Sequence, residues 1–169
     1  NIGVTEEKDQ LGIYSALEDL GYEGVLALHC EKEGLIKKRL SGGKSEQDWD
    51  PVRPVTHAYA RPPEAEVESV KEQIFFAKLN RFPGTLHIAH ISVPDSVDLV
   101  QEAKKGMNIT CGVTPHHVLF DVHRMEAADG LLYKMNPPLR PEGMNKKLLS
   151  YLRDGKIDWI ETDHAPHTL

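Results

Sequence analysis

Residues able to bind a metal or carry a proton fall in a few separated groups of this sequence: His29-Cys30-Glu31, His87 with His90, His116-His117, and the stretch from Asp163-His164 to His167. Imidazole nitrogens and carboxylate oxygens are donors that catalytic zinc accepts, and the same groups act as general acids and bases near neutral pH. One histidine at the end of an apolar run would be unremarkable. Here His29 closes one such run, His90 a second and Asp163 a fourth, while the third leads into Thr114-Pro115-His116-His117. Three ligand-type residues at the same edge of a fold make a metal site the leading reading.

The runs themselves predict the scaffold. Val25 to Cys30, Thr85 to Ser92, Asn108 to Val113 and Ile157 to Thr162 read as strands, the first nearly continuous in apolar residues as in a parallel sheet. Helical spacing marks Lys8 to Leu20 with Gly21 behind it, and Glu64 to Leu79 behind Pro62-Pro63. A further helix opens at Asp95 or Ser96 and stops before Gly106, and another runs from about Gly143 to Arg153. Strand and helix alternate four times, the order that yields right-handed βαβ units and a parallel sheet. In such folds the C-terminal edge of the sheet carries the site. Four units would make half of a (β/α)8 barrel, which needs about 250 residues; by pattern alone they also fit a small doubly wound sheet. From 31 to 63 the sequence is polar and broken by Gly42-Gly43, Asp50-Pro51, Arg53-Pro54 and Pro62-Pro63. Apart from a short helix at Glu33 to Arg39, this stretch is expected to be a long, irregular and mobile loop.

Strand alternation sorts the candidates. His29 shares a face with Val25 and Ala27, and Cys30 the opposite one, so both cannot reach one metal from a regular strand. His87 and His90 also differ in parity, and His90, nearer the C-terminal end, is the better ligand. His87 suits a packed or hydrogen-bonded role. Cys30 reads as a small buried hydrophobe, His57 and His123 as surface residues, and Trp159 as core.

Composition narrows the function classes. With 26 acidic against 20 basic residues the net charge is −6, which favours neither nucleic acid nor an anionic membrane as partner. No apolar run approaches the roughly 20 residues of a membrane helix. Two cysteines cannot staple 169 residues, and no secretory leader pattern is visible, so a cytoplasmic protein with reduced thiols is expected.

The run Glu161-Thr162-Asp163-His164-Ala165-Pro166-His167 resembles the TDHAPH signature of the dihydroorotases, a group of cyclic amidohydrolases. Four further stretches agree in order: His29-Cys30-Glu31 with HCE, His87 to Ser92 with HIAHxS, Val113 to His117 with VTPHH, and Lys134 to Arg140 with KxNPPLR. The resemblance implies a (β/α)8 TIM-type barrel, here as one partial α/β domain over 1–169 comprising strands five to eight, with residues 31–63 as a loop over the active-site mouth. It implies one or two zinc ions held in part by His29, His90 and Asp163, with Asp163 also the catalytic acid and base. It also implies contacts from Asn136 and His167 to the carboxylate of a small-molecule substrate. The activity implied is reversible cyclisation of N-carbamoyl-L-aspartate to dihydroorotate in pyrimidine biosynthesis, in a homo-oligomer or in association with a transcarbamoylase. The family's His-x-His pair with its following arginine, and its bridging lysine or aspartate, do not occur in these residues. Two alternatives stay open: another cyclic amidohydrolase (hydantoinase, dihydropyrimidinase or allantoinase), and a non-catalytic scaffold of the same fold.

Overall fold

Four parallel strands, β1 (Val25–Leu28), β2 (Thr85–Ile88), β3 (Ile109–Val113) and β4 (Trp159–Ile160), form one sheet in the computed structural model, which describes residues 3–41 and 49–165. Their order is β1-β2-β3-β4, so each new strand is added on the same side of the last. A doubly wound sheet reverses direction at a switch point, and this one does not. The order is that of a barrel wall. Around it lie α1 (Glu7–Asp19), α2 (Glu33–Leu40), α3 (Val55–Ala60), α4 (Pro63–Leu79), α5 (Pro94–Ala103), α6 (Pro115–Leu119) and α7 (Met144–Arg153), with 3-10 turns at Val122–Glu126 and Gly130–Tyr133. Prolines open α4, α5 and α6, where the missing N–H costs nothing.

The main core lies on one face of the sheet. Leu86, Ile88, Cys111 and Val113 point toward Tyr14 of α1, Val70, Ile74 and Phe76 of α4, Val97 and Val100 of α5, and Leu148 of α7. Cys30 is buried among them, and burial pushes its thiol up to about 12, so it behaves as the small hydrophobe its parity indicates. The opposite face carries Val25, Ala27, His87, Thr110 and Gly112, and there Val25 and Trp159 are exposed. Trp159 is therefore not core: it pairs with Gly112 on the outermost strand, on the face the helices leave open. Among the described residues no helix is long and apolar enough to cross a membrane.

The stretch 31–63 departs from the irregular loop its prolines and glycines suggest. Besides α2 it contains α3, whose Val55 and Ala58 form a second core with Val122, Met125 and Leu139, flanked by Tyr59, Phe120, Tyr133 and Met135. The Thr56 hydroxyl donates to the Asp50 carbonyl at 2.9 Å and accepts from the Asp50 N–H at 2.8 Å, tying the approach to that helix. Six residues cannot hold a helix by propensity; packing against residues 120–139 supplies what the local sequence lacks. Residues 42–48 of this stretch, and His167, lie outside the described residues.

Candidate active site

His29 and His90 meet at the C-terminal edge of the sheet. Ala27 pairs with His87 and Leu28 with Ile88, so strict alternation would put His87, not His90, on the face of His29. The strand stops at Ile88, however, and His90 takes a left-handed backbone (φ 41°) that swings its ring across. His29 Nδ1 and His90 Nε2 then face each other at 3.2 Å, with ring centroids 4.9 Å apart. The ladder continues past the turn, Ala89 N–H donating to the Leu28 carbonyl at 3.0 Å and Ile91 N–H to Gly112 at 2.8 Å, so the turn is held from both sides.

Two carboxylates hold this pair. His29 Nε2 lies 2.9 Å from Glu31 Oε2, and since a carboxylate accepts, that nitrogen carries the hydrogen and Nδ1 keeps a lone pair. Glu31 is gripped in turn by Arg61, with Nε 3.1 and 3.0 Å from its two oxygens and Nη2 2.6 Å from Oε2. Burial alone would raise the Glu31 carboxyl, but hydrogen bonds from His29 and Arg61 and the Arg61 charge outweigh it and bring it down to about 2. On the other side, Glu161 accepts the backbone N–H of His90 through Oε1 and contacts His87 Nε2 at 3.3 Å through Oε2. His87 also bonds Thr110 Oγ1 at 2.9 Å, the hydrogen-bonded role its mid-strand place suggests. A Cβ at position 112 would stand 2.1 Å from Glu161 Oε1, so any side chain there would have to displace that carboxylate from its present place.

These residues suit a metal in part. Burial, and next the nearby charge of His29, lower the His90 pKa, keeping its ring neutral as coordination requires. Among the described residues His90 Nδ1 is buried with no hydrogen-bond partner, and its Nε2 donates to the lone pair of His29 Nδ1. A zinc ion between the rings would replace that hydrogen, so His29 Nδ1 and His90 Nε2 fit as two imidazole donors once the His90 hydrogen sits on Nδ1. Asp163 does not complete a three-donor group, and among the described residues none exists. It is exposed, in a left-handed conformation (φ 48°), within electrostatic reach of His90 and of His116. His116 is half-buried, and burial followed by the His90 charge lowers its pKa. His164 is exposed.

The loop bearing Asn136 is fixed at the same edge from three sides. His117, just past β3, is buried. Its Nε2 lies 3.0 Å from the Pro137 carbonyl and must donate, so Nδ1 accepts the Thr114 hydroxyl hydrogen at 2.6 Å. Burial, then the His116 charge, takes the His117 pKa down to about 3. Arg140 is buried at the other end: Nε donates to Ser92 Oγ (2.7 Å), Nη1 to the Arg61 carbonyl (2.5 Å) and Nη2 to Glu66 (3.3 Å). His57, from α3, bonds both Met135 and Asn136. It is half-buried rather than a surface residue, because the second core carries it against this loop.

Sequence reading marked His29, His90, Asp163 and the Asn136 loop, of which the structure brings His29 and His90 face to face, but gave no role to Glu31, Glu161, Arg61 or His57. Glu31 and Glu161 do stand inside the HCE and ETDHAPH runs, which was the available signal. Arg61 and His57 carried none.

No protein-family model matches the chain. Its sequence is 42% identical over 114 residues to a dihydroorotase of Methanopyrus kandleri, covering 67% of the chain and 25% of that protein. It is 35% identical over 156 residues to a dihydroorotase of Methanothermobacter thermautotrophicus, covering 92% of the chain and 33% of that protein. Its fold superposes on the crystal structure of a dihydropyrimidinase from Brevibacillus agri with a TM-score of 0.81 and 28% identity, over 100% of this chain and 36% of that one. The fold is that of the amidohydrolase superfamily, and the chain belongs with its cyclic amidohydrolases. Within that group the curated relatives reported above are dihydroorotases, and the chain spans a quarter to a third of their length.

Proposed function

We propose that the protein containing these residues is a zinc-dependent dihydroorotase, interconverting N-carbamoyl-L-aspartate and dihydroorotate in pyrimidine synthesis. The observation that carries this reading is the facing pair His29 Nδ1 and His90 Nε2 at the edge of a barrel-type sheet, in a chain with dihydroorotase relatives. Bound zinc would supply an activated water near neutral pH and polarise the amide carbonyl. The chain's own residues do the rest. Glu31 keeps the hydrogen of His29 on Nε2, leaving Nδ1 to coordinate. Asp163 takes a proton from the attacking water at its carboxylate in ring opening and returns it to the leaving nitrogen, a role that suits an exposed acid within electrostatic reach of His90 and His116. Asn136, with His167, receives the substrate carboxylate.

Hydantoinase or dihydropyrimidinase activity is the second reading, favoured by the structural likeness to such an enzyme. Assaying the full-length, zinc-loaded protein against dihydroorotate, hydantoin and allantoin separates the two. Preference for dihydroorotate is expected; preference for hydantoin would overturn the substrate while keeping the chemistry.

A further inference from the structure

His57 belongs to none of the five motifs, yet it decides which way Asn136 faces. Its Nε2 lies 3.1 Å from the Met135 carbonyl oxygen and 2.9 Å from Asn136 Oδ1. A backbone carbonyl can only accept, so Nε2 carries the hydrogen. The Asn136 atom opposite that N–H must then also be an acceptor. This fixes the amide with its oxygen toward His57 and its NH2 turned away, an orientation that follows from the neighbouring carbonyl. Asn136 itself is exposed, while α3 and the second core hold His57 half-buried. One residue further on, His117 holds the Pro137 carbonyl, so the backbone under the amide is fixed on both sides. Burial keeps the His57 ring neutral, in agreement with a single hydrogen on Nε2.

We propose that His57 is a positioning residue for substrate choice: by holding Asn136 Oδ1, it leaves the amide only N–H donors to offer, which suits an anionic carboxylate and disfavours a neutral donor in its place. This rests on the reading of Asn136 as a substrate contact. A free asparagine could flip and accept from a ring N–H or a carboxamide; a clamped one cannot. The clamp therefore discriminates acidic from neutral cyclic amides.

The test uses the full-length, zinc-loaded protein. His57→Phe keeps the ring volume and removes the N–H, His57→Ala removes both, and His57→Gln restores a donor. For each, kcat and KM are measured with dihydroorotate, together with competitive inhibition by orotate and by its neutral carboxamide. Losing a positioned, charge-assisted contact should raise KM about fivefold in both donor-less variants and weaken orotate equally. The value of kcat should hold within about twofold, the carboxamide's inhibition should hold or strengthen because the freed amide can turn its oxygen to it, and Gln should recover KM. Adding His57→Phe to Asn136→Ala should then cost nothing further. If Asn136→Ala raises KM and the His57 variants do not, the clamp is wrong and the Asn136 contact stands. If Asn136→Ala also leaves KM unchanged, the underlying site reading fails. A fall in kcat with equal weakening of both inhibitors would make His57 a structural anchor only.

Discussion

Replacing Glu31 by Gln should weaken zinc binding without dismantling the fold. The Glu31 side chain is 1% exposed, accepts from His29 Nε2 at 2.9 Å and takes three contacts from Arg61 between 2.6 and 3.1 Å. Glutamine keeps the size and one acceptor oxygen for His29, but that acceptor is neutral, and the new NH2 faces a guanidinium. A hydrogen bond to a charged group contributes about 1.5–3 kcal/mol and a neutral one about 0.5–1.5, so roughly 1–1.5 kcal/mol of His29 orientation is lost. The Arg61 mismatch adds a smaller amount, since 19% of that side chain reaches water. At 1.4 kcal/mol per factor of ten, zinc affinity should fall about tenfold and not beyond a hundredfold, the span found for outer partners of metal-bound histidines. Competition with a chelator of known affinity, on full-length protein whose circular dichroism matches wild type, measures this. Unchanged affinity in a folded Glu31→Gln would show that His29 needs no carboxylate to present Nδ1, and the tautomer argument would fail.

Asp163→Asn should leave zinc content nearly unchanged while kcat falls about 10²–10⁴-fold, because an amide cannot shuttle the proton; near-normal turnover would make Asp163 structural. Arg140→Met should cost about 3–5 kcal/mol in urea unfolding, since it strands Glu66, a carboxylate 2% exposed, and Arg140→Met with Glu66→Gln should recover part of that. Stability should drop on acidification. The unfolded chain protonates His117 near its ordinary value of 6.5 while the folded protein resists down to about 3, so its contribution is complete above about pH 6.5 and falls by about 1.4 kcal/mol per pH unit below it. His57, His90 and His116 are lowered as well and act in the same direction. Urea unfolding at about pH 7.5 and about pH 5.5 checks the sign, and His117→Gln should flatten the slope.

What could be read in the sequence was whatever short-range pattern controls. Alternating strands and helices, and the opposite faces of His29 and Cys30, follow from periods of two and 3.6 residues. His90 came from its place at the strand end; parity would have chosen His87, and only the left-handed turn at residue 90 reverses that. The rest depended on contacts no window contains. Arg61 reaches Glu31 across 30 positions, and His57 reaches Asn136 across 79. The helix at Val55–Ala60 hid behind prolines because its stability comes from Val122, Met125 and Leu139. Trp159 misled for a related reason: an aromatic in an apolar run signals core only if its face of the sheet is covered.

Those distant contacts join into one path. His29 bonds Glu31, Glu31 bonds the Arg61 side chain, and the Arg61 carbonyl accepts from Arg140. Arg140 reaches Glu66 and Ser92, and Glu66 accepts the N–H of Val93 at 3.0 Å, three residues after His90. The route leaves His29, passes the base of the Asn136 loop and returns beside His90. Glu31, Glu66 and Arg140 along it are each at most 3% exposed in their side chains, so water cannot readily replace a broken link. Buried polar networks of this kind add little net stability but fix geometry, since any other arrangement leaves a charge unpaired. A reaction that needs donors and a substrate anchor held to within about 0.5 Å gains from that rigidity. The two residues between the motifs, Arg61 and Glu66, are therefore as much part of the site's construction as the histidines they never touch.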